Sequence, residues 1–219
     1  MHKRLILLTI YAVAMAYLES AVVVYLRAVY YPEGFGFPLA PFEPGMAAIE
    51  VGREAATLVM LLGVAMMMSD DRWERFLVFS LSFGVWDISY YVWLWVFLGW
   101  PPSLLTWDVL FLIPVPWIGP VLAPIIVSVA LIVGSLLLLR VKRQGTQLAL
   151  PASLWLLASA GGGLVLLSFT LDYRAVLAQM ETPPFRWWLF ATGVACAAVA
   201  LTLGMFRLTK SVTRQEPVV

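Results

Sequence analysis

Ionisable side chains inside long apolar segments are the residues best placed to do chemistry in this chain. In the second such segment, Glu50, Arg53, Glu54 and Thr57 follow one another at the i, i+3, i+4, i+7 spacing, which places them on one stripe of a helix. Because a charged group facing lipid is costly, the stripe is predicted to face other helices or a wet cavity. Carboxyl groups in such a place could hold a cation or exchange a proton.

A second polar stripe, made of Ser80, Gly84, Asp87 and Tyr91, has the same spacing in the third segment. At 1.5 Å per residue, Asp87 lies roughly 16 Å below the outer end of its predicted helix. An ionisable residue at that depth is by default a candidate functional residue.

The first segment contributes Glu19, about 10 Å below its outer end, a depth that Arg53 shares. We therefore expect Arg53 to pair with Glu54, Glu19 or Asp87. The full set of candidate binding residues is Glu19, Glu50, Arg53, Glu54, Asp87, Tyr91, Trp86 and Asp108.

Acids outnumber bases in this set. Glu19, Glu50, Glu54 and Asp87 against Arg53 give a formal charge of −3, and −2 when Arg27 is added. A net negative group is unstable in a low-dielectric interior. Either some carboxyls stay protonated, or a cation lies among them, or Glu50 and Arg27 are solvated at the interface. A purely structural set of ion pairs, favoured by the helix dipole, is an alternative.

The elements that must position these residues are transmembrane helices. Of the 219 residues, 62% are hydrophobic and 12% charged, against roughly 45–50% and about 25% in soluble chains. Six apolar segments are each long enough to cross a ~30 Å hydrocarbon core. We predict an all-α, polytopic helical bundle that forms one transmembrane domain over residues 1–219. Its spans are 5–26, 46–68, 76–98, 120–139, 148–171 and 187–206.

The distribution of basic residues predicts the orientation, because cytoplasmic loops are enriched in Lys and Arg. Ten basic residues fall on one side, and only Arg27, Arg53, Arg174 and Arg186 fall elsewhere, so both termini are expected in the cytoplasm. The ten are Lys3, Arg4, Arg72, Arg75, Arg140, Lys142, Arg143, Arg207, Lys210 and Arg214. A cleaved signal peptide with an A-x-A site at 14–16 is a rival interpretation of the first segment.

The outer segment between the third and fourth spans is predicted to be interfacial or partly re-entrant. Ser103 could cap a short helix that runs to about Ile113, and Pro114 and Pro116 would end it. Such a segment could cover the polar residues, or simply lie at the interface as a helix anchored by tryptophans. The aromatic residues of the preceding outer loop are expected to insert at the membrane surface or pack on this segment; they are Phe35, Phe37 and Phe42.

The net charge and the cysteine and histidine counts limit the partners and cofactors that this chain could bind. The net charge of +1 gives no support for a nucleic-acid partner. One cysteine, Cys196, cannot form an internal disulfide, and one histidine excludes haem or zinc sites built on several imidazoles. No metal site or cofactor is predicted. Gly161, Gly193 and Ala197 favour close packing between the last two spans.

Three functions are compatible with this sequence. The first is binding or transport of a small cation or polar solute, entering from the outer side of the cell (inner) membrane. The second is an enzyme that acts on a lipid or isoprenoid by carboxylate acid–base chemistry. The third is a non-catalytic subunit of a membrane complex. The lipid bilayer is the predicted partner in all three, with a membrane-protein partner or a homo-oligomer also possible.

Overall fold

The structure is a computed structural model that describes residues 2–41, 43–148, 150–178 and 183–213. Phe42 and Arg214, which the sequence interpretation used, lie outside the described residues, as does the side chain of Lys210. The chain forms seven helices and two strands in the described ranges. In order they are α1 (His2–Tyr30), α2 (Pro44–Met68), α3 (Arg72–Leu98), β1 (Trp107–Phe111), β2 (Trp117–Pro120), α4 (Leu122–Arg143), α5 (Ala152–Thr170), α6 (Tyr173–Leu177) and α7 (Trp187–Thr213).

Six of these segments are long and apolar enough to cross a membrane, which confirms the predicted number of spans. Helix α1 is longer than its predicted span by three residues at the start and four at the end. Helices α2 and α3 begin two and four residues before their predicted spans and end where predicted. The additional residues are expected, because helices continue past the hydrocarbon core into the interface. The fourth begins at Leu122, two residues after the prediction. The fifth begins at Ala152 rather than 148, and its candidate span continues through α6 to Leu177.

Helix α3 lies at the centre of the first half of the bundle and packs against α1, α2 and α4. Helices α5 and α7 form a second closely packed pair, which meets the first half through α4 and the two strands. We call the end of the bundle at Leu98 and Leu122 the hairpin end. The opposite end, at Arg72 and Arg143, is the basic end.

Small residues permit the closest helix contacts, as predicted for the last two spans. A Cβ atom on Gly161 would lie 2.7 Å from the carbonyl oxygen of Gly193, and a Cβ on Gly193 would lie equally close to the carbonyl of Gly161. In the polar stripe of α3, a Cβ on Gly84 would lie 2.7 Å from the carbonyl oxygen of Ser128 in α4. These glycines let the two pairs of helix backbones touch.

The segment between α3 and α4 is not the predicted helix from Ser103 to about Ile113. It forms an antiparallel hairpin of β1 and β2, with an irregularity between Val109 and Phe111. Ser103 accepts a hydrogen bond from the amide of Leu105 in a local turn instead of capping a helix. Aromatic and β-branched residues dominate both strands, and such residues pack well on a pleated surface. The bundle is therefore mostly helical rather than all-α.

The hairpin enters the helix bundle instead of lying across its end. The Phe111 ring packs against the indole of Trp86, with ring centroids 6.4 Å apart. Trp86 precedes the last residue of α3, Leu98, by twelve residues, or about 18 Å at 1.5 Å per residue. On the other strand, the indole of Trp117 stacks on Phe169 of α5. The hairpin thus connects the two halves of the bundle and carries irregular backbone deep among the helices.

Candidate functional site

The polar stripe of α2 faces the bundle interior, as its spacing predicted. Glu50, Glu54 and Thr57 are all buried, and Leu61 and Ala65 continue the same face. Outward-facing residues of this helix, such as Val59 and Met67, are apolar and exposed. The helix therefore presents its charges to α1 and the hairpin.

Arg53 joins α1 to α2 through an ion-paired group that we call the Arg53 cluster, made of Glu19, Glu50, Arg53 and Thr57. The guanidinium donates to Glu50 Oε2 from Nε at 2.9 Å, and its Nη1 contacts Glu19 Oε1. Thr57 donates its hydroxyl to the second oxygen of Glu19 at 3.1 Å. The predicted carboxylate partner of Arg53 is present. Two acids share this one guanidinium.

Glu54 belongs to the same stripe but turns to the hairpin. Its Oε2 accepts a hydrogen bond of 2.7 Å from the amide of Leu112, directly after β1. This bond satisfies a backbone donor that water cannot reach easily inside the bundle. Glu54 makes no ion pair with a basic residue in the described part of the chain.

A second group, the Arg27 cluster, joins α1, α3 and β1 and consists of Arg27, Tyr91 and Asp108. Arg27 Nη2 lies 3.4 Å from Asp108 Oδ1, and the Tyr91 hydroxyl donates to Oδ2 of the same carboxylate at 3.2 Å. The Arg27 guanidinium also lies over the rings of Trp100 and Phe35, at 3.7 and 4.3 Å from their centroids. Burial raises the pKa of Asp108 to about 6, although Arg27 and the Tyr91 hydrogen bond oppose the increase.

The interpretation that Arg27 and Glu50 are solvated at the interface is wrong. Both are buried, with 8% and 4% of their surface exposed. The packing of Trp100 and Phe35 over Arg27, and of Phe37 against Trp107, confirms that the loop after α1 packs on the segment between the third and fourth spans. The same packing excludes water from Arg27.

Asp87 contacts α4. It does not pair with Arg53, although that pairing was one of the predicted alternatives. Its Oδ2 accepts a hydrogen bond of 2.7 Å from the Ser128 hydroxyl. The carbonyl oxygen of Ser128 lies against Gly84, where α3 and α4 approach each other closely. The hydrogen bond between Ser128 and Asp87 therefore lies one helical turn from this close approach. One turn before Tyr90, Trp86 is buried and stacks on the Tyr90 ring at 6.2 Å.

Three buried nitrogen donors lack a hydrogen-bond acceptor among the described residues: Arg27 Nη1, Trp86 Nε1 and Trp117 Nε1. A buried donor without a partner costs free energy. The two indoles flank Phe111 from either side. These nitrogen donors therefore remain available to an acceptor group.

The formal charges of the region do not cancel. Five carboxyl groups from three helices and the hairpin meet two guanidinium groups; the acids are Glu19, Glu50, Glu54, Asp87 and Asp108. Within the described residues, no three acid, histidine or cysteine side chains lie close enough together to hold a metal ion.

Several hydrogen-bond and ion-pair partners of the candidate residues could not be predicted from the sequence. Ser128, the backbone amide of Leu112 and the pairing of Arg27 with Asp108 all depend on contacts between residues far apart in the chain. The position of Arg27 three residues before the end of α1 was the one local signal.

No protein-family model, curated protein or solved structure matches this chain. Function is therefore inferred from the geometry of these residues.

Proposed function

We propose that the protein binds a small cation or polar solute at the carboxyl groups around the hairpin turn, and carries it across the cell membrane. The solute would enter from the outer side, which corresponds to the hairpin end when both termini are cytoplasmic. The excess of five carboxyl groups, four buried and Asp87 partly buried, over two guanidinium groups supports this proposal. Such an excess requires protons or a bound cation in a low-dielectric interior.

Glu54 and Asp87 are the residues most available to a ligand. Their carboxyl groups accept hydrogen bonds from neutral donors, the Leu112 amide and the Ser128 hydroxyl, and make no ion pair with a basic residue in the described part of the chain. Glu19, Glu50 and Asp108 already contact guanidinium groups. A cation or proton that neutralises Glu54 or Asp87 would therefore relieve an uncompensated charge.

Aromatic rings make the same region suitable for a cation. Trp86, Tyr90 and Tyr91 form a continuous series on α3, with ring centroids 6.2 and 5.1 Å apart. Ring faces attract cations by about 0.5–2 kcal/mol. The unpartnered indole nitrogen of Trp86 would serve an acceptor atom on a polar solute.

Movement of the hairpin would give the solute access. Most of the candidate side chains are buried, Arg53 and Asp87 are partly buried, and the hairpin packs against Trp86 beside them. Because Glu54 holds the Leu112 amide, a cation at Glu54 would weaken that bond and favour a displaced hairpin. Solute binding and hairpin position would then be coupled.

The test compares Glu54→Gln and Asp87→Asn with the wild type and with Asp70→Asn. Asp70 is an exposed acid at the basic end, so its variant controls for loss of one charge. Purified proteins are screened by thermal stability in Na⁺, K⁺, Li⁺ and choline, and by ion and proton flux in proteoliposomes. We expect Glu54→Gln and Asp87→Asn to fold, and to lose about tenfold or more in apparent affinity, the loss of one charged hydrogen bond.

Asp70→Asn should behave like the wild type in every assay. The proposal would be refuted if the wild type showed no stabilisation by any of these cations and no flux. Equal responses of all four proteins would also contradict it.

A further inference from the structure

An open cleft at the basic end lies far from the carboxyl groups of the proposed solute site and has no role in the proposed function. Its volume is about 430 Å³. The cleft lies between the first turn of α3, the last turn of α4 and the loop after α4. Its lining residues are Asp71, Arg72, Trp73, Lys142, Gln147 and Leu148.

Two cations line this cleft with donors still available. Arg72 is exposed, lies 5.4 Å from the centre of the Trp73 ring, and makes no ion pair within the described ranges. Lys142 contacts Asp71, but an ammonium group has three donors and this contact uses one of them. Gln147 adds an amide donor. Three side chains can therefore donate to one anionic group.

Asp71 offsets one of the two positive charges of the lining, those of Arg72 and Lys142, which leaves a net charge of +1. Its Oδ1 accepts hydrogen bonds from the amides of Trp73 and Glu74 at 2.9 and 2.8 Å, as an N-cap. The Lys142 hydrogen bond is the main reason that the pKa of Asp71 lies below its ordinary value. Asp71 thus holds Lys142 at the edge of the cleft, and Arg140 and Arg143 on the same helix end add positive charge.

The position of the cleft indicates what presents the anion. Arg72 and Arg143 are the terminal residues of two membrane-spanning helices, so the cleft lies where lipid headgroups meet the protein. The indole of Trp73 stacks on Trp155 at 4.5 Å between centroids, and tryptophan is enriched at the membrane–water interface. Leu148 provides an apolar wall.

We propose that this cleft binds the phosphate group of an anionic phospholipid, held by Arg72, Lys142 and Gln147. Basic pockets at the ends of transmembrane helices favour anionic headgroups, at about 1 kcal/mol for each Lys or Arg, or about fivefold in affinity. A zwitterionic headgroup carries the same phosphate, but its ammonium group removes the net negative charge that Arg72 and Lys142 attract. The cleft should therefore prefer phosphatidylglycerol to phosphatidylcholine.

The experiment measures lipid binding to the full chain by native mass spectrometry and by thermal stability. The probes are phosphatidylglycerol, phosphatidylcholine and soluble glycerol phosphate. Arg72→Gln and Lys142→Gln are compared with Arg207→Gln, which removes an exposed charge from α7 outside the cleft. We expect phosphatidylglycerol to bind the wild type and Arg207→Gln equally, and about fivefold more weakly to each cleft variant.

Two results would overturn this inference. One is equal binding of phosphatidylglycerol by the cleft variants and the wild type. The other is a full response to soluble glycerol phosphate, which would identify a free phosphate compound as the ligand instead of a lipid. Since Arg72 is exposed and caps no helix, loss of binding in Arg72→Gln with unchanged unfolding temperature separates a ligand contact from misfolding.

Discussion

A single guanidinium group, that of Arg53, contacts two carboxylates, whereas Glu54 and Asp87 accept hydrogen bonds only from neutral groups within the described residues. The acids of this region therefore differ in their environment. Paired acids fix the positions of α1 and α2. The remaining two, Glu54 and Asp87, make no ion pair with a basic residue in the described part of the chain.

Asp108 makes the stability of the Arg27 cluster depend on pH. Its pKa is raised by burial from 3.8 to about 6, so the folded state binds a proton more tightly than the unfolded chain does. The resulting stability is fully present below about pH 4 and is lost as the pH rises through 6. Two pH units correspond to about 3 kcal/mol at most.

Asp108→Asn should remove that pH dependence, because the amide cannot titrate. We expect the free energy of unfolding of the wild type to fall by up to about 3 kcal/mol more than that of the variant between pH 4 and pH 7. Chemical unfolding in detergent at pH 4, 5, 6 and 7 measures the difference. The slope with pH is the relevant quantity, because the substitution also changes the contact with Arg27. Parallel curves for the two proteins would show that Asp108 does not titrate in this range.

Residue spacing predicted which side chains face inward, but not which of them meet. The i, i+3, i+4, i+7 stripe of α2 is a property of one helix, and it proved correct for Glu50, Glu54 and Thr57. The contact between Arg27 and Asp108 joins residues 81 positions apart. It depends on the path of the hairpin, which no local pattern encodes.

Among the elements, the six helices were predictable and the hairpin was not. Long apolar segments must form helices to satisfy their backbone in a membrane. Residues 104–117 are also apolar, and an acceptable N-cap at Ser103 favoured a helix. The sequence also contained a signal for strands, because aromatic and β-branched residues recur on either side of a proline-containing turn. These residues are Trp107, Val109, Phe111 and Ile118. Short apolar segments cannot be assigned by periodicity alone.

Helix α4 must approach α3 closely for Ser128 to reach Asp87, and Gly84 makes this possible. A methyl group on Gly84 would lie 2.7 Å from the Ser128 carbonyl oxygen and 2.9 Å from Cγ1 of Ile132. Gly84→Ala should therefore push the helices apart and lower the free energy of unfolding by about 1–3 kcal/mol. Gly63→Ala in α2 is the matched control, because a Cβ there meets nothing within 4 Å.

Gly63→Ala should be neutral or slightly stabilising, since alanine is the better helix former. Thermal unfolding of the two variants in the same detergent gives the comparison. The close approach would be unimportant if Gly84→Ala unfolded at or above the temperature of Gly63→Ala.

At the scale of the whole molecule, charge is separated along the bundle. The hairpin end holds the excess of buried acids, whereas the basic end carries the lysines and arginines of the loops and helix ends. The helix bounds are compatible with either direction of insertion. Only the distribution of Lys and Arg selects one, because basic loops remain on the cytoplasmic side. Our proposals for solute entry and lipid binding both assume this orientation.

Cysteine labelling tests the orientation. In a Cys196→Ala background, cysteine at Glu33 or Ser103 should react with a membrane-impermeant reagent in intact cells, and cysteine at Gln144 only after permeabilisation. All three positions are exposed, and none has the positive φ that would strain a cysteine at Gly34 or Gly99. The background itself should stay unlabelled, which controls for other reactive groups. Labelling of position 144 in intact cells, with positions 33 and 103 protected, would invert the topology and move the carboxyl groups to the cytoplasmic half of the membrane.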